Sequence, residues 1–250
     1  MNIQTIFERY EMKFILTKQL KEELMELLEE YMSPDPFGEA TIRNLYFDTD
    51  TYRLIRRSIE KPVYREKLRL RSYSQVSSDD SVFVELKKKY RSVVYKRRLI
   101  LPEREAMDWL NGGICPVQGQ IASEIDYFYH YYDTLHPVMY ISYDRQAFYS
   151  ESNPDFRISF DDNILSRQDD LSLTIEPNGT RLLDSDHVIM EVKTMGGIPL
   201  WLAHFLTEKK LYKTPFSKYG TAYREQILPY KTGTWKSEYN KNPVYEEKRR

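Results

Sequence analysis

Arginine and lysine recur at every second position in several short stretches of this 250-residue chain. Within residues 64–73, Arg65, Lys67, Arg69 and Arg71 alternate with Tyr64, Leu68 and Leu70. Within 82–90, Phe83, Glu85, Lys87 and Lys89 oppose Val82, Val84 and Leu86. Arg157, Ser159 and Asp161 oppose Phe156, Ile158 and Phe160, and Glu191 and Lys193 oppose Met190 and Val192. Tyr143 and Arg145 fall together in the same way. A period of two is that of a β-strand, so each set shares one face. Guanidinium and ammonium groups held together grip phosphate oxygens through charge-assisted bonds. A few glutamates among them suit a divalent metal beside such an anion.

Two arrangements accommodate these strands. In an ordinary sheet the apolar face covers a core and the charges lie in water. A solvated face, however, needs no bias toward Arg and Lys strand after strand. The other arrangement is an eight-stranded antiparallel β tunnel, apolar outside against helices and charged inside. About eight strands leave an interior wide enough for side chains and one small ligand. Crowding cations there without a counterion costs several kcal/mol per ion, so the ligand is expected to be a dense anion such as a triphosphate or phosphate chain.

The elements that would build this tunnel follow from periodicity. Residues 8–16 alternate as a strand, with Arg9, Glu11 and Lys13 on one face. Thr17 is placed to cap a helix carrying Leu20, Leu24, Leu27, Leu28 and Tyr31, which Pro34 and Pro36 stop. Further strands are expected at 41–49, 63–74, 81–90, 93–101, 138–149, 155–161 and 186–194. Helices are expected at 103–111, 119–135, 199–211 and 218–228. Ser77-Ser78-Asp79-Asp80 marks a hairpin. The fold class is α+β in one domain over 1–230, and 231–250, which lacks apolar periodicity, is expected to be a mobile tail.

Composition removes other classes. Lys and Arg number 37 against 38 Asp and Glu, a formal net charge of −1, which argues against nucleic acid held by a basic surface. The single cysteine, Cys115, allows no intramolecular disulfide and no Cys-rich zinc site, and fits a reducing, cytoplasmic compartment. No signal peptide or bilayer-spanning run is visible, so membrane insertion by this chain is not expected. His130, His136, His187 and His204 lack metal-ligand spacing, and there is no P-loop or Gly-rich dinucleotide fingerprint. Asn178-Gly179-Thr180 reads as a turn.

The sequence resembles the catalytic domain of the VTC (vacuolar transporter chaperone) polyphosphate polymerases, a branch of the triphosphate tunnel metalloenzymes. The resemblance rests on RYEMKF at 9–14, LYFDT at 45–49, KLRLRSY at 67–73, VFVELKKK at 82–89, YDRQAF at 143–148, FRISFDDNI at 156–164, VIMEVK at 188–193 and PFSKY at 215–219, in family order. It implies a tunnel that holds a nucleotide's triphosphate, with a divalent ion, Mn²⁺ or Mg²⁺, on a glutamate. By position, Lys13, Arg69, Arg71, Lys87, Arg145 and Arg157 would hold and neutralise the phosphates. Lys96, Tyr143, Lys193 and Lys218 would line the substrate path, and Glu191 would carry the metal. The wider superfamily has Glu-x-Glu-x-Lys in the first strand; here it is Arg9-x-Glu11-x-Lys13, which weakens a two-metal hydrolase site. The membrane segments of the eukaryotic complexes are missing, so translocation would need a separately encoded membrane partner.

The resemblance therefore implies a polymerase that moves the γ-phosphate of ATP onto inorganic polyphosphate. The acceptor is already anionic and needs no general base, whereas hydrolysis needs one. Glu11 and Glu85 are candidates for that base, or plain ion-pair partners of lumenal lysines. A triphosphatase and a non-catalytic polyphosphate or nucleotide sensor remain the alternatives.

Overall fold

The computed structural model describes residues 10–232 apart from 37 and 92. Arg9, and the expected tail from residue 233 onward, lie outside the described residues. The strands are β1 (Tyr10–Thr17), β2 (Ser33–Pro34), β3 (Ala40–Asp48), β4 (Tyr64–Ser72), β5 (Ser81–Tyr90), β6 (Val93–Pro102), β7 (His136–Tyr149), β8 (Arg157–Arg167), β9 (Thr180–Arg181) and β10 (His187–Thr194). Eight of them form one antiparallel path, β1-β10-β8-β7-β3-β4-β5-β6, with β2 on β7 and β9 on β8. The expected hairpin turn is present: Ser77 N and Oγ both donate to Asp80 Oδ2.

The sheet curls so that its two faces have opposite polarity. On the convex side Leu45, Phe47, Leu68, Leu70, Val82, Val84 and Leu86 pack beneath α3 (Glu103–Leu110) and α4 (Gln120–Tyr131), around the fully buried Trp109. A second convex cluster sets Phe14, Leu16, Ile158, Phe160, Met190 and Val192 under α1 (Lys18–Tyr31) and α5 (Leu200–Glu208). Thr17 caps α1 as the sequence implied, its Oγ1 accepting from Leu20 N at 3.2 Å. Apolar alternation thus fixes which face turns outward, because burying those rows removes the most apolar area from water.

Among the described residues the hydrogen-bonded path is not sealed into a ring: β1 and β6 are its two ends. Side chains and a strap span the gap instead. Glu11 on β1 reaches Lys87 on β5 at 3.9 Å, and Thr214 N donates to Lys13 O on the free edge of β1 at 2.8 Å. The strap then enters α6 (Lys218–Ala222), a π-turn (Tyr223–Ile227) and α7 (Leu228–Thr232), where the sequence suggested one helix over 218–228. Tyr219, Ala222, Tyr223 and Ile227 pack onto Ile42, Tyr46, Met139, Ile141 and Ile189 on the concave side. Part of the lumen is therefore filled by the chain itself, and the remainder is polar.

One helix was not foreseen. α2 (Arg53–Ile59) has Tyr52 at its N-cap with φ 56° and no local side-chain cap. Its free N–H groups are taken by Asp48 at the end of β3, which accepts from Thr49, Leu54 and Ile55. Among the described residues no helix is long and apolar enough to cross a membrane.

Candidate active site

The charged rows meet inside the curl as two walls. On the β4–β5–β6 wall, Glu85 is 1% exposed and stands where register pairs it with Arg69 on one side and Arg98 on the other. Arg69 Nε and Nη2 donate to Glu85 Oε2 at 2.9 and 2.7 Å. Arg98 Nε and Nη2 donate to Oε1 at 2.8 and 2.5 Å, and Lys96 Nζ lies 2.6 Å from the same oxygen. Arg71 Nε lies 3.9 Å from Glu85 Oε2 and donates to Asn44 Oδ1 at 2.9 Å, and its Nη2 donates to Tyr143 Oη at 3.1 Å. Arg69 Nη1 donates to Tyr46 Oη at 3.2 Å. Burial pushes the Glu85 carboxyl up, but Arg69, Arg71 and Lys96 outweigh it and hold the group well below the usual carboxylate range.

The β1–β10–β8–β7 wall is organised around two carboxylates. Asp161, wholly buried, takes Arg145 Nε and Nη2 at 2.5 and 2.7 Å and the ammonium of Lys218. Glu191 takes Lys13 at 2.8 Å and Arg145 Nη2 at 3.1 Å, with Lys193 and Lys218 at 3.7 Å. Burial raises both acids, and the surrounding cations more than reverse it, so both stay ionised. Lys13 is raised despite its own burial, chiefly by Glu191 and Glu11. Glu11 bridges the walls. Burial opposes its ionisation, but Lys87 and Lys13 bring it down to about 2.

The expected residues fall unevenly. Lys13, Arg69, Arg71, Lys87, Lys96, Tyr143, Arg145, Lys193, Lys218, Glu11, Glu85 and Glu191 all face this interior. Arg157, at the first position of β8, is exposed, and its Nε donates only weakly, to Pro154 O at 3.4 Å. Lys67, on the same face as Arg69 and Arg71, donates to Ser217 Oγ at 3.3 Å, and burial together with Lys87 and Lys13 depresses it to about 8. Four participants were missed: Asp161, Asn44, Tyr46 and Arg98. Asp161 shares the face already identified through Arg157, so parity alone pointed to it. Asn44 and Tyr46 sit in a strand of few charges and carry no such signal.

For a divalent metal the donor set is spare. Among the described residues no group of three or more His, Cys, Asp or Glu could enclose an ion. Mg²⁺-type sites commonly use one or two carboxylates and complete the shell with substrate phosphates and water. Ionised Glu191 fits that mode.

The cations outnumber the carboxylates in this interior, so the site is built to receive an anion. Among solved structures, a candidate adenylate cyclase from Bacillus halodurans matches at 16% identity over 86% of this chain and 96% of its own, with a TM-score of 0.54. A candidate adenylyl cyclase from Hippeastrum, described as having a dominant triphosphatase activity, matches at 15% identity over 88% and 97%, with a TM-score of 0.49. No curated protein matches the chain. The first of these likenesses supports the tunnel-like fold. A family model for the VTC domain matches residues 8–226, and the chain belongs to that family.

Proposed function

We propose that this protein is a polyphosphate polymerase that transfers the γ-phosphate of ATP to the end of an inorganic polyphosphate chain. One observation supports this reading over hydrolysis: the carboxylates set among the lumenal cations, Glu11, Glu85, Asp161 and Glu191, are each ion-paired and held below their ordinary values, so none of these four is poised to accept a proton from water. Glu85, proposed as a hydrolytic base, is enclosed by Arg69, Arg98 and Lys96. An anionic phosphate acceptor has no proton to give up. Its terminal oxygen forms the new P–O bond, the γ-phosphorus–bridging oxygen bond breaks, and the electron pair leaves with ADP.

Arg69, Arg71, Lys87 and Lys96 would hold the phosphates from one wall, and Lys13, Arg145, Lys193 and Lys218 from the other. Such fixed cations stabilise the transferring phosphoryl group without reorganising during reaction. Glu191 would hold Mn²⁺ or Mg²⁺ jointly with phosphate oxygens, adding Lewis-acid neutralisation of the same charge. Arg157 would meet the anion at the rim. A cytoplasmic setting, with a separately encoded membrane partner for any translocation, completes the proposal.

The test is phosphorus NMR of the protein with ATP and Mn²⁺, with and without a short polyphosphate primer. Growth of the internal-phosphate signal with equimolar ADP is expected. Orthophosphate as the sole product would replace the polymerase by a triphosphatase, and nucleotide binding without turnover would indicate a sensor. Glu191→Gln is expected to reduce metal-dependent turnover by about 10²-fold or more while tripolyphosphate still binds.

A further inference from the structure

The polar interior does not end in water at the β4–β5 hairpin. One step beyond Arg71 and Glu85, the inward-facing positions are Tyr73, Phe83 and Ile100, and register places Phe83 directly opposite Ile100. Tyr73 meets Phe83 edge-on, with centroids 5.4 Å apart at 88°. The Arg98 guanidinium lies 4.4 Å over the Phe83 ring. Its Nε and Nη2 donate to Glu85 Oε1, and Nη2 donates also to Tyr73 Oη at 3.1 Å. Tyr46, Tyr143, Tyr219 and Tyr223 on the concave side are buried; Tyr73 is 42% exposed and Ile100 60%.

We infer that this aromatic and guanidinium ledge is the nucleobase subsite, and that it sets the preference for a nucleoside triphosphate over an inorganic one. This rests on the proposed nucleotide chemistry of the tunnel. A phosphate chain has no flat apolar face and gains nothing from exposed rings. A base stacks on aromatic side chains and on Arg planes largely irrespective of its identity. Arg98 joins the two environments, with one side of its fork on the phosphate wall and its plane on Phe83. The base therefore lies at the hairpin end when the triphosphate lies between the walls. Stacking tolerates any base, so little discrimination between purines is expected.

The experiment compares ATP and inorganic tripolyphosphate binding by titration calorimetry in the wild type, Tyr73→Ala, Tyr73→Phe and Phe83→Leu. Tyr73→Ala and Phe83→Leu are expected to weaken ATP roughly tenfold and to change tripolyphosphate by less than about twofold. Tyr73→Phe, which keeps the ring and loses the bond to Arg98, is expected to bind ATP nearly as the wild type does. Equal losses for both ligands would overturn the inference, because the rings would then serve only to place Arg98. Unchanged ATP binding in every variant would overturn it too, leaving the tunnel chemistry intact. Wild-type protein that binds tripolyphosphate and not ATP would overturn both the subsite and the nucleotide reading.

Discussion

The two walls of the tunnel solve the same electrostatic problem in different ways. On the β4–β5–β6 side one glutamate, Glu85, gathers Arg69, Arg98 and Lys96, and the side chains of Lys96 and Arg98 remain 41% and 35% exposed. On the facing side Asp161 and Glu191 share Arg145 and Lys218, and the Lys218 side chain is 7% exposed. The first wall keeps its cations in contact with water, where an incoming anion can take them. The second is closer to a buried salt-bridge network, whose desolvation cost is met only while all partners are present. One wall therefore reads as a receptor surface and the other as a rigid frame that carries Glu191.

Removing one acid from each wall separates these roles, and the largest effect is expected on the frame. Asp161→Asn leaves Lys218 and Arg145 buried beside a neutral group, which costs about 3–5 kcal/mol. For a chain of this size that lowers the melting temperature by roughly 6–20 °C. Glu85→Gln should cost about 1–3 kcal/mol, since its cations can turn to solvent. Saturating tripolyphosphate should restore the melting temperature of Glu85→Gln more fully than that of Asp161→Asn, because ligand binding stabilises through accessible partners. Equal losses and equal rescue, read by thermal denaturation, would erase the distinction between the walls.

A smaller effect sharpens the same contrast through pH. Burial depresses Lys67 and Lys96 to about 8, and Glu85 offsets part of that for Lys96. On the facing wall Lys13 is raised and keeps its proton, while burial lowers Lys193. Below pH 8 both depressed lysines are charged; as pH rises through 8 they lose their protons and attract phosphate less. Tripolyphosphate affinity is thus expected to fall several-fold between pH 7 and 9.5, by about one kcal/mol for two partly screened charges. Binding near pH 8.5 should take up protons, which calorimetry in buffers of different ionisation enthalpy detects. In Glu85→Gln the fall should begin at lower pH, since the group that raises Lys96 is gone. An affinity flat across this range would mean that Lys67 and Lys96 do not supply the binding charge.

Much of this is legible in the sequence, and the limits have physical causes. Alternation fixes side-chain direction along a strand, so the inward set of Arg69, Arg71, Glu85, Lys87, Glu191 and Lys193 could be read from spacing. Pairing between distant strands cannot be read that way. That Glu85 would hold Arg98, or that Asp161 would sit between Arg145 and Lys218, depends on register and on where α6 enters. The same limit hid α2: its first N–H groups are taken by Thr49 and by Asp48, a residue of the preceding strand, rather than by the residue directly before the helix. It also hid the strap, whose bond from Thr214 to the edge of β1 replaces the β1–β6 pairing that would have sealed a ring.

Arg157 tests how far a family position can be carried by sequence order alone. The resemblance places it among the phosphate-gripping residues, yet its side chain is exposed at the start of β8 and makes only a long bond to Pro154 O. A cation in that setting acts on the anion through water, and exposed pairs are worth about 0.2–1 kcal/mol. Arg157→Gln should therefore weaken tripolyphosphate binding by no more than about fivefold at low salt. At roughly 1 M salt, where screening acts within about 3 Å, the difference should vanish. Arg145→Gln, which strikes the buried frame, should keep its deficit at high salt. Measuring both variants across ionic strength distinguishes steering at the rim from contact inside the tunnel. A salt-insensitive loss of turnover in Arg157→Gln would mean that Arg157 swings inward when the chain is bound, making β8 part of the receptor as well as the frame.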